Sequence, residues 1–292
     1  MTERPLDKQS AIALGHRMAY HERGSGQPIV FLHGNPTSSY IWRNVLGQLE
    51  GLGRLIVPDL IGMGDSDKLP QPGPGTYRFA THRDHLAAFI DAVIDTQEKI
   101  ILVAHDWGAA LAFDWANHHR SRVAGIAYME AIVRPITPAD GASELGPTFM
   151  ALRSPQGDAM ILEQNMFVEQ LLPKLVMRTL SDAEMAEYRR PFGTPADRWP
   201  TLDWPRQIPL AGNPPEVVAI VESYAAWMAE NDLPKLFVNA EPGAVLTRGL
   251  RDFCRSWKQQ TEVTVTGKHF IQEDSPREIG EAIAGWISEM RA

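Results

Sequence analysis

Asp106 stands at a junction that is awkward for a charged side chain. The stretch Val103-Ala104-His105-Asp106-Trp107-Gly108-Ala109-Ala110 closes the apolar run KIILV and opens the helix-like segment LAFDWANHH. A sharp strand-to-helix turn that exposes a nucleophile needs small residues two before and two after it, so that the flanking backbones can approach. Ala104 and Gly108 meet that need, and Asp106 holds the place of the serine in G-x-S-x-G. The helix N-terminus behind it favours an ionised carboxylate. Taken alone, an acid at a helix start is more often just a cap.

Two other segments change that balance. His33-Gly34-Asn35-Pro36 follows the strand-like PIVFL, where a backbone N–H can join the N–H of Trp107 in an oxyanion hole. His269 follows TEVTVTG late in the chain, in the position of a general base after the nucleophile and the acid. That acid is either Glu130, at the end of VAGIAYM, or Glu241, at the end of LFVNA; both strand ends should point to the carboxyl edge of the sheet. The residues leave both open. His33 and His105 taken singly are structural hydrogen-bonding histidines, and His118, His119 and the HRDH at 82–85 read as surface or packing residues. No convincing metal-ligand set appears, and neither a metal nor an organic cofactor is expected. GMGDSD lacks the third glycine of a phosphate-binding G-x-G-x-x-G.

The elements that must position these residues alternate. PIVFLHG, RLIVPDLIG, KIILVAHDW and VAGIAYMEA are unbroken apolar runs of the kind found in a parallel sheet covered on both faces. Between two of them, Thr81 to Gln97 carries Leu86, Phe89, Ile90, Val93 and Ile94 at helical spacing, with Thr81 and Asp84 placed as a capping box. AIALGHRMAYHERGSGQ reads as an antiparallel pair turning at Leu14-Gly15-His16. From about Arg134 to Gly212 proline-punctuated pieces rich in Met, Phe and Trp replace the strands, which predicts a helical insertion. LPKLFVNAEPG and TEVTVTGKHF then resume the sheet, and IGEAIAGWISEM closes with Ile279, Ile283, Trp286 and Ile287 on one stripe. The expected architecture is an α/β-hydrolase fold: a mostly parallel central sheet flanked by helices, its core formed by residues 1–133 and 213–292, with a helical cap at 134–212.

A chain of 292 residues can bury a large core, and 44% hydrophobic with 22% charged residues is ordinary for a globular protein. A formal charge of −8 without a Lys/Arg run argues against a nucleic-acid partner. The single cysteine, Cys254, forbids an intrachain disulfide and reads as helix packing. The N-terminus lacks the apolar core of a signal peptide, and no window reaches the roughly 20 apolar residues that cross a bilayer. A soluble monomer in the cytoplasm is the expectation, with the periplasm as the alternative compartment.

FLHGNPTSSYIWRN, DLIGMGDSDKL, HDWG, AYMEAI, NAEPGA and GKHFIQEDSP together resemble the haloalkane dehalogenases over essentially the whole chain, nearest to the branch that includes the hexachlorocyclohexane-degrading enzyme. The resemblance implies Asp106 as nucleophile, His269 as base and Glu130, rather than Glu241, as acid. It further implies Asn35 and Trp107 as halide-holding side chains, a small halogenated hydrocarbon as substrate and halide ion as product. Phe149, Phe167, Leu175, Pro205 and Ile208 in the cap, with Val245 and Phe270 from the core, match pocket-lining positions; Val245 departs from the larger aliphatic expected there. The chemistry is coherent, since a carboxylate can displace halide in line from saturated carbon and N–H donors stabilise the departing charge. An epoxide hydrolase would need acidic donors, for which Tyr188 and Tyr224 are available, but it generally carries an aromatic residue after His-Gly. A coelenterazine-oxidising luciferase resembles the same branch, and a noncatalytic receptor on this fold would have no need of a base placed to activate water.

Overall fold

The computed structural model describes residues 2, 4–137, 140 and 146–292. Eight strands form one sheet in the order β1-β2-β4-β3-β5-β6-β7-β8. β1 (Gln9–Ala13) and β2 (His16–Arg23) are the antiparallel hairpin, turning at Leu14 and Gly15 with φ of 50° and 82°. Two successive positive φ values match the right-handed twist of the flanking strands, which is why a glycine occupies the second. β2 pairs antiparallel with β4 (Arg54–Pro58). From there onward β3 (Pro28–Leu32), β5 (Ile100–His105), β6 (Val123–Met129), β7 (Lys235–Pro242) and β8 (Gln260–Gly267) run parallel. β3 and β5 are buried along their whole length, as expected of strands covered on both faces.

The crossover helix α1 spans Phe79–Val93, two residues earlier than its sequence pattern suggests at the start and four at the end. Thr81 and Asp84 lie inside it rather than at its cap. Arg78 is the N-cap residue and makes no side-chain cap bond; the orphan N–H of Phe79 is met instead by Gln207 Oε1 from the insertion, at 3.3 Å. A tertiary partner has replaced the local one. The closing helix Pro276–Arg291 buries Ile279, Ile283, Trp286 and Ile287, each worth about 1.5–3 kcal/mol relative to exposure. Cys254 is buried in the helix Arg248–Arg255.

Between β6 and the helix Pro215–Glu230 the described residues form short helices, notably Gly146–Arg153, Asp182–Arg189 and Trp199–Gln207, with two π-helical turns at Ala159–Glu163 and Phe167–Leu171. Ile136 bridges Leu210, so the two ends of this insertion meet. Leu152, Ile161, Phe167, Leu171 and Leu202 make a small apolar cluster of their own, whereas Val168, Leu172, Val176, Tyr188, Phe192 and Trp204 pack into the main core. Among the described residues no helix is long and apolar enough to cross a membrane.

The topology decides where chemistry gathers. The chain passes from β3 to β4 on one side and later to β5 on the other, so the strand order reverses at β3. In open parallel sheets the crevice outside the carboxyl ends at such a reversal is the usual ligand site. His33 to Asn35, Asp106 and Glu130 directly follow β3, β5 and β6, and His269 follows β8.

Candidate active site

Asp106 follows β5 and precedes the helix Trp107–His118 with φ 53° and ψ −126°, a conformation costly for a side chain with a Cβ and characteristic of functional turns. The turn closes because Gly108 has no side chain: a Cβ there would lie 2.5 Å from the Leu32 carbonyl oxygen of β3. Gly34 is constrained from the opposite side, since its Cβ would lie 2.7 Å from Cγ of Asp106. Both clashes involve atoms that cannot swing aside. Gly108→Ala is expected to destabilise the protein by about 3 kcal/mol, the upper end for overpacking, seen as a lowered urea midpoint at unchanged slope.

With Gly34 absent as an obstacle, the Asn35 backbone N–H donates to Asp106 Oδ2 at 2.9 Å, and the Trp107 backbone N–H also donates to this carboxylate. His33 anchors the loop. Its Nδ1 donates to Gly34 O at 2.9 Å and its Nε2 accepts the Leu60 N–H at 2.9 Å, which uses both nitrogens of the neutral ring. Burial holds its pKa down to about 4, so it stays neutral. Burial also pushes the Asp106 carboxyl above the usual range, against the pull of His269 and the two amides. The helix start thus moderates the cost of burying the carboxylate without overcoming it.

The Asn35 and Trp107 side chains both meet the insertion. Asn35 is buried; its Nδ2 donates to Thr201 O of the insertion at 3.3 Å, and its Oδ1 has no partner among the described residues. The Trp107 ring is stacked on Trp204 of the insertion with centroids 4.5 Å apart, and Phe79 packs nearby. Its indole N–H finds no acceptor among the described residues. One amide and one indole donor are therefore left with hydrogen-bonding capacity to spare among the described residues.

His269 Nε2 lies 3.8 Å from Asp106 Oδ1, and His269 Nδ1 lies 3.3 Å from Glu130 Oε2. Glu130 follows β6 with φ 42°, and its buried carboxylate also accepts the N–H groups of Ala244, Val245 and Leu246 at 2.8–3.2 Å. Glu241 lies elsewhere, exposed and paired with Arg251 at 3.0 Å. Of the two carboxylates the sequence left open, Glu130 is the one in contact with His269. Burial depresses the His269 pKa, but Glu130 and Asp106 more than reverse this and leave it raised. His105 donates Nε2–H to His269 O at 2.8 Å, so it serves as scaffold.

A family model described as the alpha/beta hydrolase fold matches residues 27–276. A haloalkane dehalogenase of Sphingobium indicum is 56% identical over 290 residues, 99% of this chain and 98% of that protein. The crystal structure of haloalkane dehalogenase DbeA from Bradyrhizobium elkani superposes with a TM-score of 0.91 at 41% identity, covering 98% of both chains. This chain belongs to the haloalkane dehalogenases. Coelenterazine h 2-monooxygenase of Renilla reniformis is similar as well, at 39% identity over 92% of this chain and 86% of that protein.

The remaining dehalogenase positions expected at the site are spread over two layers. Leu175 O accepts the N–H groups of His269 and Phe270 at 3.1 and 3.2 Å, and the Phe270 ring packs edge-on to His269 at 4.7 Å. Val245 is half-buried on the loop that holds Glu130. Pro205 and Ile208 are buried at the end of Trp199–Gln207, next to the Trp204 that stacks on Trp107. Phe149 and Phe167 belong to the small cap cluster, where Phe149 packs on the main core too. The tyrosines that an epoxide hydrolase would use are engaged elsewhere. Tyr188 OH donates to Glu273 Oε1, and Tyr224 OH donates to Ile132 O at 2.6 Å. The GMGDSD loop wraps Asp59, whose carboxylate accepts the N–H groups of Ser39 and Asp65. Among the described residues no group of three or more His, Cys, Asp or Glu side chains is arranged to hold a metal.

Sequence reasoning missed Thr201, Trp204 and the 244–246 amides. Each acts through a contact more than 90 residues distant in the chain, which no local pattern encodes.

Proposed function

We propose that this enzyme hydrolyses small haloalkanes to alcohol, halide and a proton through a covalent ester on Asp106, beneath a cap formed by residues 134–212 over a core of 1–133 and 213–292. The observation that carries the reading is an acid at the elbow, its Oδ2 accepting the Asn35 backbone N–H and its Oδ1 facing His269. Oδ1 attacks the carbon from the side opposite the halogen; the C–O bond forms as the carbon–halogen pair leaves as halide. Asn35 Nδ2 and Trp107 Nε1 donate to the halide. They hold an anion better than a neutral carbon–halogen bond, so their effect falls mainly on the transition state.

In the second half His269 Nε2 takes a proton from water, whose oxygen adds to Cγ of the ester. The Asn35 and Trp107 amides hold the resulting oxyanion, and Glu130 stabilises the imidazolium through Nδ1. On collapse the bond from Cγ to the alkoxide oxygen breaks, the alkoxide takes the proton from the His269 imidazolium and leaves as alcohol, and the Asp106 carboxyl loses its own proton to solvent, which restores the carboxylate. Phe149, Phe167, Leu175, Pro205, Ile208, Val245 and Phe270 line an apolar pocket that keeps competing water out. A soluble cytoplasmic monomer completes the reading. Engagement of Tyr188 and Tyr224 away from Asp106 counts against epoxide opening.

Halide release from 1,2-dibromoethane and 1-iodohexane, measured beside epoxide opening and coelenterazine oxidation, tests the assignment. Release of halide with neither of the other activities is expected; epoxide turnover without halide release across a broad panel overturns it.

The direction of the His269 shift makes a pH prediction. Neutral His269 is the form that accepts a proton, so ester hydrolysis should fall as the pH drops below its folded pKa, which lies above the ordinary 6.5 in the free enzyme. Esterified Asp106 has lost the charge that helps to raise that pKa. The acid limb of single-turnover hydrolysis should therefore lie at lower pH than the titration of His269 in free enzyme, a comparison available by rapid quench and NMR. Stability runs with the opposite sign. A raised histidine pKa stabilises the fold fully below the unfolded value and ceases to do so as the pH rises through the folded value.

A further inference from the structure

We propose that Arg43, Arg178, Glu184 and Glu273 form a buried clamp through which the cap positions His269 for ester hydrolysis; the inference rests on the function proposed above. Arg43 follows the turn Ser39–Trp42 in the core. It donates to Glu273 at 2.6 and 2.9 Å and to Glu184 of the cap helix Asp182–Arg189 at 2.7 Å. Arg178, on the cap, donates to Glu184 at 2.6 and 2.7 Å, to the Glu273 carboxylate at 2.5 Å and to its carbonyl at 2.7 Å. The side chains of Arg43, Glu184 and Glu273 are at most 3% exposed.

Four charges of alternating sign under a cap are a poor device for stability, because desolvation consumes most of what their attraction returns. They do fix a geometry, since an Arg fork donates to carboxylates in few orientations. The geometry they fix leads to the base. Glu273 lies four residues after His269, and the cap segment running into Arg178 is fastened to that same turn. Leu175 O accepts the His269 and Phe270 N–H groups, Asp274 Oδ1 accepts those of Met177 and Arg178, and Lys268 Nζ reaches Lys174 O at 2.9 Å. Asp106 hangs from β5 and the Asn35 and Trp107 amides, none of which the clamp touches. Halide displacement uses Asp106 without His269. Loosening the clamp should therefore slow the second chemical step and spare the first, making these four positioning residues.

The test measures both steps separately with 1-iodohexane: halide release in the first turnover by stopped flow, and decay of the Asp106 ester by quenched-flow mass spectrometry. Glu273→Gln is expected to leave the first rate within about threefold and to slow ester decay at least tenfold, so that the adduct accumulates during turnover. Arg178→Gln, at the more exposed corner, guards against a Glu273 variant that does not fold and is expected to shift the same ratio at least threefold. Arg178→Lys should recover part of it. Equal loss in both steps, or folded variants with an unchanged ratio, overturns the clamp. A His269→Phe control that releases halide without any adduct on Asp106 would instead overturn the covalent route itself, which keeps the two failures apart.

Discussion

His269→Phe is expected to release one equivalent of halide per active site and then stop, leaving a stable alkyl mass increment on the peptide that contains Asp106. Phenylalanine fills the imidazole volume beside Phe270 and offers no proton acceptor, so the ester forms without a route to water attack. Loss of a positioned general base costs on the order of 10²–10⁴-fold, and only the hydrolytic step should bear it. Steady-state turnover then falls by that factor while the first-turnover halide burst persists. Glu130→Gln should follow in weaker form, because Glu130 acts on Asp106 only through the ring 3.3 Å away. Three backbone amides would then face a neutral acceptor, so its folding needs checking by circular dichroism. A first-turnover alcohol carrying oxygen from labelled solvent rather than from Asp106 would contradict the covalent route in every variant.

The second large effect concerns the leaving group. Asn35→Ala and Trp107→Leu are each expected to slow halide displacement by about 10²-fold or more, the scale found when one preorganised transition-state donor is removed. The loss should grow from iodide to bromide to chloride substrates, because a poorer leaving group carries more localised charge when its bond breaks. Ester hydrolysis should change little, since the oxyanion donors are backbone N–H groups that these substitutions retain. Each variant also disturbs a cap contact. Asn35→Ala leaves Thr201 O without its partner, and Trp107→Leu removes the aromatic face that stacks on Trp204. The dependence on halogen separates the two contributions: a packing defect slows all three substrates alike, and a uniform loss would discredit the donor role.

Much of this site is legible in the chain because its parts are local. The elbow shows as Ala104 and Gly108 about Asp106, the oxyanion loop as His33-Gly34-Asn35 after PIVFL, and the parallel strands as uninterrupted aliphatic runs. Each is a statement about neighbouring residues, whose backbone demands are met or refused within a few positions. The helix at 79–93 marks where such reasoning stops: Thr81 and Asp84 have the spacing of a capping box, yet Gln207 supplies the donor's partner from 128 residues away.

By itself, then, the sequence determined the fold class and put forward a candidate nucleophile, a candidate base and a short list of candidate acids, since periodicity, turn chemistry and residue type are properties of a segment. Only the tertiary structure brought Glu130 rather than Glu241 to His269, gave the Tyr188 and Tyr224 hydroxyls to Glu273 and Ile132, set Trp204 against Trp107 and joined Arg43 to Glu184 and Glu273. Those outcomes depend on which side chains meet after the sheet has closed. A buried charge accepts whatever partner the packing delivers, and no spacing along the chain records that meeting.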